Sequence, residues 1–370
     1  MHILYTSDEN YVRHAAAAMM SLMDHNRDVK ELTLHFLSMG ITAESQARLE
    51  ALCSGFGREI LFYELGDIRR WFDFPVNSRG FAVSALARLF LARVLPESVE
   101  RVLYMDCDTL VNDDLTALWQ TNLDGCYLGM VAEPTVRKSR RAELSMPDSQ
   151  PYFNSGVLLI NLKLWRRDNA EKIVLDYYCA KGGSLMAPDQ DAINGAFAGK
   201  IRELSPRYNY GSVQLYYPWK AQKRMSAPTP FLAEADYLAA VAHPAIIHFL
   251  GEERPWRAGN RHPYTPMYDR YLSMTPWKDT PKEEGWRGYF ACFALFNTLT
   301  RPFPLLRWRI ISGLIPAFMK VREKRLKRGR RPPCGDRRRL YLPESVLCSP
   351  SSCLGGCVLR TAPFSCTKKG

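Results

Sequence analysis

Residues 101–111 read Arg-Val-Leu-Tyr-Met-Asp-Cys-Asp-Thr-Leu-Val, and this stretch decides the fold. It opens as an apolar run with β-branched and aromatic residues, the pattern of a buried strand. It then presents two carboxylates, Asp106 and Asp108, one residue apart. Side chains two apart on an extended chain point the same way, so both acids can grip one hard cation from the end of a core strand. In open α/β sheets, ligands sit at that end of the strands. Two solvated acids at a polar strand terminus would look the same, so the rest of the chain has to supply the difference.

Upstream, the pattern alternates strand and helix. His2 to Ser7 reads as a strand, followed by Asp8-Glu9-Asn10-Tyr11 and an Ala-rich helix from about Val12 to His25. Leu32–Leu37 and Glu59–Leu65 read as strands, Ala43–Gly55 and Phe81–Val94 as helices, the latter carrying Arg88. This β-α-β-α-β-α-β order predicts a mainly parallel, doubly wound sheet. Asp8 and Asn10 are placed to cap the first helix or to meet a nucleoside, with the Tyr11 ring available to stack on a base.

Downstream, Asp113 and Asp114 sit at the start of a short helix, where acids are favoured. Tyr127–Ala132 reads as a strand, and polar, basic residues 134–150 as a mobile surface loop. Pro151–Asn161 reads as a turn into a buried strand, with Gly156 allowing close approach of a ligand. Leu162–Tyr178 reads as one helix, Pro188–Asn194 as a polar helix start, and Ala245–Phe249 as a last strand carrying His248. A histidine at a strand end is commonly a satisfied polar group, yet one imidazole also suits a site with two carboxylates.

Composition bounds the function. The chain has 370 residues and a formal net charge of +12, but the charge is uneven. Residues 301–331 contain eleven Lys or Arg against Glu323 alone, while residues 1–300 are near neutral. This argues against nucleic acid as a partner of the body and for a cationic tail that meets an anionic surface. The five cysteines of the body lack Cys-x-x-Cys spacing and read as reduced, mostly buried thiols of a cytosolic protein. Those after residue 333 form no ordered pair of zinc knuckles. The chain enters a strand at once, with no secretory leader expected. Tyr289–Leu299 is apolar but well short of the roughly 20 residues needed to span a bilayer.

Five motifs in order carry a resemblance. They are Ser-Asp-Glu-Asn-Tyr at 7–11, Leu-Tyr-Met-Asp-Cys-Asp at 103–108, Phe-Asn-Ser-Gly-Val-Leu-Leu-Ile-Asn at 153–161, Asp-Gln-Asp-Ala-Ile-Asn at 189–194, and His-Phe-Leu-Gly-Glu-Glu-Arg-Pro-Trp at 248–256. Together they resemble glycosyltransferase family 8, and within it the bacterial lipopolysaccharide α-galactosyl- and glucosyltransferase group. The resemblance implies an α/β, GT-A fold: a Rossmann-like doubly wound mixed sheet with helices on both faces, here followed by a C-terminal helical basic tail. The expected parts are a catalytic domain at 1–275, a basic amphipathic membrane-association region at 276–331, and a disordered tail at 332–370. A chain ending near residue 285 is then expected to be more soluble and still to hydrolyse donor.

The implied activity is transfer of a galactose or glucose from a UDP-sugar to a hydroxyl of an acceptor glycan or glycolipid, with retained α configuration. The implied ion is Mn2+, with Mg2+ as the alternative, held by Asp106, Asp108 and His248. Asp8, Glu9, Asn10 and Tyr11 match positions that hold the uridine, and Arg88 a basic residue facing the donor. Asn154, Ser155, Asp189 and Gln190 match positions around the sugar. Gly251 and Arg254 match a closing loop over the diphosphate. Glu9 stands where an aspartate is common and Arg254 where a lysine is usual; the charge persists, on a planar fork. Cys107, grouped with the donor site by its place between the acids, is expected to point to the opposite face, into the core.

For catalysis the resemblance singles out Asp189, Gln190 and Asp191. An amide is a poor nucleophile, so a front-face route is favoured in which Gln190 and Asp191 steady an oxocarbenium-like centre. The tail's Leu, Ile and Trp residues between Arg307, Arg309 and Lys320 suit a segment at an anionic membrane surface. That would place the protein in the cytoplasm, peripherally on the inner face of the cell membrane. A metal-dependent nucleotidyl- or phosphotransferase, or a non-catalytic nucleotide-sugar binder, remains as the alternative. The former does not account for the 248–256 motif or the Asn154 cluster, and no Gly-rich P-loop is present; the intact Asp106, Asp108 and His248 set argues against the latter.

Overall fold

The structure, a computed structural model, describes residues 1–79 and 83–327. The expected disordered tail at 332–370 and the last residues of the basic run lie outside the described residues. Among the described residues there are nine strands: β1 (His2–Ser7), β2 (Thr33–Ser38), β3 (Glu59–Glu64), β4 (Arg101–Met105), β5 (Thr109–Val111), β6 (Leu128–Ala132), β7 (Phe153–Asn161), β8 (Ile201–Leu204) and β9 (Ile246–His248). Seven form one sheet in the order β3-β2-β1-β4-β7-β6-β8, and β5 pairs with β9 in a small second sheet.

The first four strands of the order are parallel, as the βα alternation requires. β7 then runs antiparallel to both β4 and β6, which makes the sheet mixed. Alternation along the central strands divides the core between the two faces. Val102 and Tyr104 of β4 with Leu158 and Ile160 of β7 pack on one side. Leu103 and Met105 with Val157 and Leu159 pack on the other, against Ala15, Met19 and Leu22 of the Val12–His25 helix. Helices therefore cover both faces.

Several expectations shift. Leu162–Tyr178 is two helices, Leu162–Arg167 and Ala170–Ala180, broken where Asn169 adopts φ +50°. The stretch before β4 is a 3-10 helix, Val83–Phe90, running into the short α-helix Leu91–Val94. Within 134–150 lies a helix, Lys138–Glu143. It is too short to show a period, and it is anchored by Arg141, which is 4% exposed and donates to Thr229 Oγ1. Of the body's thiols, Cys53 and Cys107 are buried, Cys126 is half-buried, and Cys179 and Cys292 are exposed.

After the second sheet come the helices Thr265–Ser273, Arg287–Thr300 and Pro304–Lys327. They are not appended loosely. Trp286 and Phe290 are buried, and the Arg257 guanidinium lies 3.7 Å over the Trp286 ring. A cut near residue 285 would leave Arg257 without its aromatic cover and remove the buried Trp286 and Phe290, so it does not follow a clean boundary. Among the described residues, no helix is long and apolar enough to cross a membrane.

Candidate active site

β4 ends at Met105, one residue before the first acid. Asp106 N still donates to Gly156 O at 2.8 Å, the last bond of the β4–β7 pairing. The chain then turns, and Thr109 N and Oγ1 both donate to Asp106 O, at 3.2 and 2.7 Å. The two acids therefore converge through a turn, not through an extended strand as their spacing suggested. Cys107 points away: its thiol donates to Thr6 O at 3.2 Å within the core, and burial pushes its pKa up. Its side chain is not part of the cleft.

The turn leads directly into β5, and β5 recruits the third group. Thr109 pairs with His248 across the β5–β9 ladder, and Phe249 N donates to Asp108 O at 3.0 Å. His248 Nε2 lies 3.3 Å from Asp108 Oδ1 and 3.9 Å from Asp106 Oδ2. Asp106, Asp108 and His248 can present ligand atoms within 4.8 Å of one another. Burial lowers the His248 pKa to about 4, so the ring is neutral at pH 7 and a lone pair is free on one nitrogen. Two hard oxygens and an imidazole fit a divalent cation of the Mn2+ or Mg2+ kind.

Which nitrogen is free is set by a residue the sequence did not single out. His248 Nδ1 lies 2.8 Å from Asn209 Oδ1. Asn209 Nδ2 in turn donates to Asn154 Oδ1 at 2.8 Å, and Gly156 N donates to the same oxygen at 2.9 Å. Because Asn209 spends its amide hydrogens on Asn154, its carbonyl accepts from Nδ1–H, and Nε2 faces the acids. Such outer partners typically matter 10- to 100-fold for metal affinity. Asn209→Leu is therefore expected to weaken Mn2+ binding about 10- to 100-fold, measured by calorimetric titration, with a smaller change in melting temperature.

Gly156 has a different use from the one expected. A Cβ there would lie 2.1 Å from His248 Cε1 and 2.6 Å from Nδ1. What approaches the glycine closely is the imidazole of His248.

On the other side of Asp106, Arg88 is 4% exposed. Its guanidinium bonds Asp106 Oδ1 and the Tyr104 hydroxyl, both at 2.7 Å, and lies 3.3 Å from Asp189 Oδ2. Tyr104 donates to the same Asp106 oxygen at 2.7 Å. Arg88 thus works beneath the cleft, tying β4 to the Pro188–Ala196 helix, with no free face toward a donor. Ser155 Oγ donates to Asp189 Oδ2 at 2.9 Å, and Ser155 N to Gln190 Oε1 at 3.0 Å. Gln190 Nε2 donates to the Tyr152 hydroxyl at 3.1 Å, which fixes the amide's orientation.

Asp191 does not join this group. It is 1% exposed, and its oxygens accept from Arg140, from the Tyr152 hydroxyl at 2.7 Å and from Ala187 N at 2.7 Å. No oxygen remains to face a sugar, so the charge-stabilising part expected of Asp191 is replaced by an anchoring one at the helix start.

The 7–11 loop divides its residues. Asp8 Oδ1 accepts from Tyr11 N at 3.1 Å, which closes the turn before the helix; the N-cap itself is Tyr11, and, against the expectation for Asp8 or Asn10, no side chain caps the helix. Glu9 turns to the neighbouring Ala43–Ser54 helix, accepting from Thr42 N and Ser45 Oγ at 2.7 Å each. Asn10 is exposed. The Tyr11 ring meets His14 and Trp256 edge-on, at 5.0 and 5.6 Å. The 249–256 loop is thereby linked to the 7–11 loop. Within it, Gly251 adopts φ +67°, and Arg254 donates to Phe249 O and pairs with Asp108. Glu133, which was not foreseen, is half-buried at the end of β6 and accepts from Thr135 Oγ1. Burial raises its pKa, against the opposing influence of nearby His248 and Asn154.

A mixed seven-stranded sheet with an Asp-Asp-His cluster just past its central strand is an α/β architecture with a candidate cation site at the carboxyl end of the sheet. The model of glycosyl transferase family 8 matches residues 2–259; the chain belongs to that family and is a hexosyltransferase. General stress protein A of Bacillus subtilis is 31% identical over 280 residues, covering 75% of this chain and 94% of its own length. The lipopolysaccharide 1,3-galactosyltransferase of Salmonella typhimurium is 25% identical over 284 residues, covering 75% of this chain and 79% of its own. Among solved structures, the galactosyltransferase LgtC in complex with donor and acceptor sugar analogs aligns with a TM-score of 0.65 and 28% identity, covering 78% of this chain and 99% of that one.

Proposed function

We propose that this enzyme moves a hexose, galactose or glucose, from a UDP-sugar to a hydroxyl of a lipopolysaccharide or another surface glycan, with retained α configuration. The observation that carries the proposal is the convergence of Asp106, Asp108 and His248, with Arg254 paired to Asp108, just past the end of β4. The similarity to the Salmonella galactosyltransferase and to LgtC supports the hexose and the glycan acceptor. A bound Mn2+ would supply Lewis-acid charge for the departing diphosphate.

The protein's own groups divide the remaining work. Arg254 is placed to leave Asp108 for a phosphate oxygen when the diphosphate enters. Tyr11, Asp8 and Asn10 border the nucleoside side. Asn154, Asp189 and Gln190 border the sugar, with Gln190 steadying positive charge at the anomeric carbon through its oriented amide dipole. The sugar–phosphate bond breaks while the acceptor oxygen approaches the same face, and the leaving phosphate takes the acceptor's proton.

Two measurements test this. UDP release from a panel of UDP-sugars with Mn2+ should single out UDP-galactose or UDP-glucose; no release from any UDP-hexose would refute the donor assignment. Gln190→Glu should not raise turnover, and a trapped glycosyl adduct on Gln190 or Asp191, seen by mass spectrometry, would overturn the front-face route.

We further propose peripheral attachment to the inner face of the cell membrane. Leu306, Ile310 and Leu314 form an exposed stripe on the C-terminal helix at 51, 37 and 61% exposure, beside exposed Arg301, Arg309 and Lys320. An apolar stripe flanked by cations fits an anionic bilayer. Leu306→Ser with Leu314→Ser is expected to cut sedimentation with anionic vesicles about tenfold or more. Unchanged sedimentation would sink the attachment.

A further inference from the structure

The C-terminal helix carries one charge that faces inward. Arg307, next to exposed Leu306, is itself 3% exposed. Its guanidinium lies 4.3 Å over the Tyr216 ring. Nη1 donates to Asn297 Oδ1 at 2.6 Å and to Thr300 Oγ1 at 3.1 Å. None of these is an anion, and a buried charge without a counter-charge is costly.

The answering charge is Glu253, 7% exposed, whose carboxylate accepts from the Tyr216 hydroxyl. Asn297 Nδ2 donates to that same hydroxyl at 3.3 Å. Glu253 lies in the 249–256 loop, one residue before Arg254, which pairs with Asp108. The neighbouring residue on the helix reaches the segment that follows β6. Trp308 Nε1 donates to Thr135 O at 2.7 Å, and Thr135 Oγ1 donates to Glu133. Arg137 packs 5.6 Å over the Trp308 ring and donates to Arg309 O at 3.2 Å. Two consecutive side chains of one helix thus tie down the 249–256 loop and the segment that follows β6.

We infer that the Pro304–Lys327 helix is part of the donor-site machinery, with Arg307 acting as a positioning residue that holds the 249–256 loop through Tyr216 and Glu253. Arg307 touches no substrate. When it is removed, the buried Glu253 carboxylate keeps its Tyr216 bond but loses the neighbouring positive charge, and the loop gains by opening to water. Arg254 then sits less often over the diphosphate position. The kinetic arm of this inference rests on the proposed UDP-hexose donor; the structural arm does not.

The test uses the full chain with Arg307→Met, Arg307→Lys and Tyr216→Phe, the last keeping the ring and removing only the hydroxyl. Hydrogen exchange over residues 249–256 is expected to quicken about tenfold in Arg307→Met and Tyr216→Phe, as local opening becomes easier, and to recover in large part in Arg307→Lys. Exchange in the Ala43–Ser54 helix should stay unchanged. The UDP-hexose KM should rise about tenfold with a smaller fall in kcat, and the Tyr216→Phe/Arg307→Met pair should be little worse than either alone, as expected for residues acting in one network. Unaltered exchange over 249–256, or an equal quickening across the whole domain, would overturn the inference. If the loop responds as expected but wild type turns over no UDP-hexose, the donor assignment fails and the positioning role stands.

Discussion

Asp108→Asn is expected to reduce hexosyl transfer by about a thousandfold or more, to remove measurable Mn2+ binding, and to leave the melting temperature little changed. The substitution keeps the side chain's shape and one carbonyl oxygen. It removes the charge from a group that is 8% exposed and lies between His248 Nε2 and Arg254. A neutral amide is a poor ligand for a hard cation, and the loss is concentrated where negative charge develops on the leaving diphosphate. Asp106→Asn separates function from stability. It too should abolish transfer, but it also strips Arg88 of its 2.7 Å partner and leaves that buried guanidinium to Asp189 alone. Unfolding should then be easier by about 3 kcal/mol. The readouts are UDP release, calorimetric titration with Mn2+ and thermal melts. Transfer retained to within tenfold in Asp108→Asn would show that the cation is held elsewhere.

Gly156→Ala, a change of one methyl group, is expected to lower Mn2+ affinity about a hundredfold, on the scale at which outer-shell partners act. The added carbon would lie 2.1 Å from His248 Cε1, inside any permitted contact. β7 is locked by its pairing with β4 through Val157, so the ring must yield before the backbone does. Its movement breaks the 2.8 Å bond to Asn209 and turns Nε2 from the acids. Overpacking of this kind costs about 1–3 kcal/mol. Adding His248→Ala to Gly156→Ala should restore much of that stability by emptying the space, without restoring the metal. Wild-type Mn2+ affinity in Gly156→Ala would mean that His248 does not occupy the position described.

Much of the fold was legible because it depends on local periodicity. β1 matches its expected span, and the Val12–His25 helix was placed to the residue, since apolar positions in both follow the regular repeats of strand and helix. β4 and the acid pair were read for the same reason. Short elements were not legible. Lys138–Glu143 makes too few turns to show a period, and β8 is a four-residue edge strand with two exposed positions. The antiparallel direction of β7 was also hidden, because alternation of apolar residues is the same whichever way a strand runs.

The site shows the same division. The sequence by itself determined the donor set, two carboxylates and an imidazole, because residue type decides which cation and which charges a cleft can serve. It equally determined β4, the strand that leads into the acids. Only the tertiary structure decided how those groups act. The β5–β9 pairing brings His248 to Asp108, Asn209 selects its tautomer, and Arg140 draws Asp191 away from the sugar side. Arg307 and Trp308, which a linear amphipathic pattern assigned to the membrane, turn inward to Asn297 and to Thr135. The physical reason is that tautomers, counter-charges and the inward or outward turn of a side chain depend on neighbours distant in the chain, and no local pattern encodes which distant residue will be the neighbour.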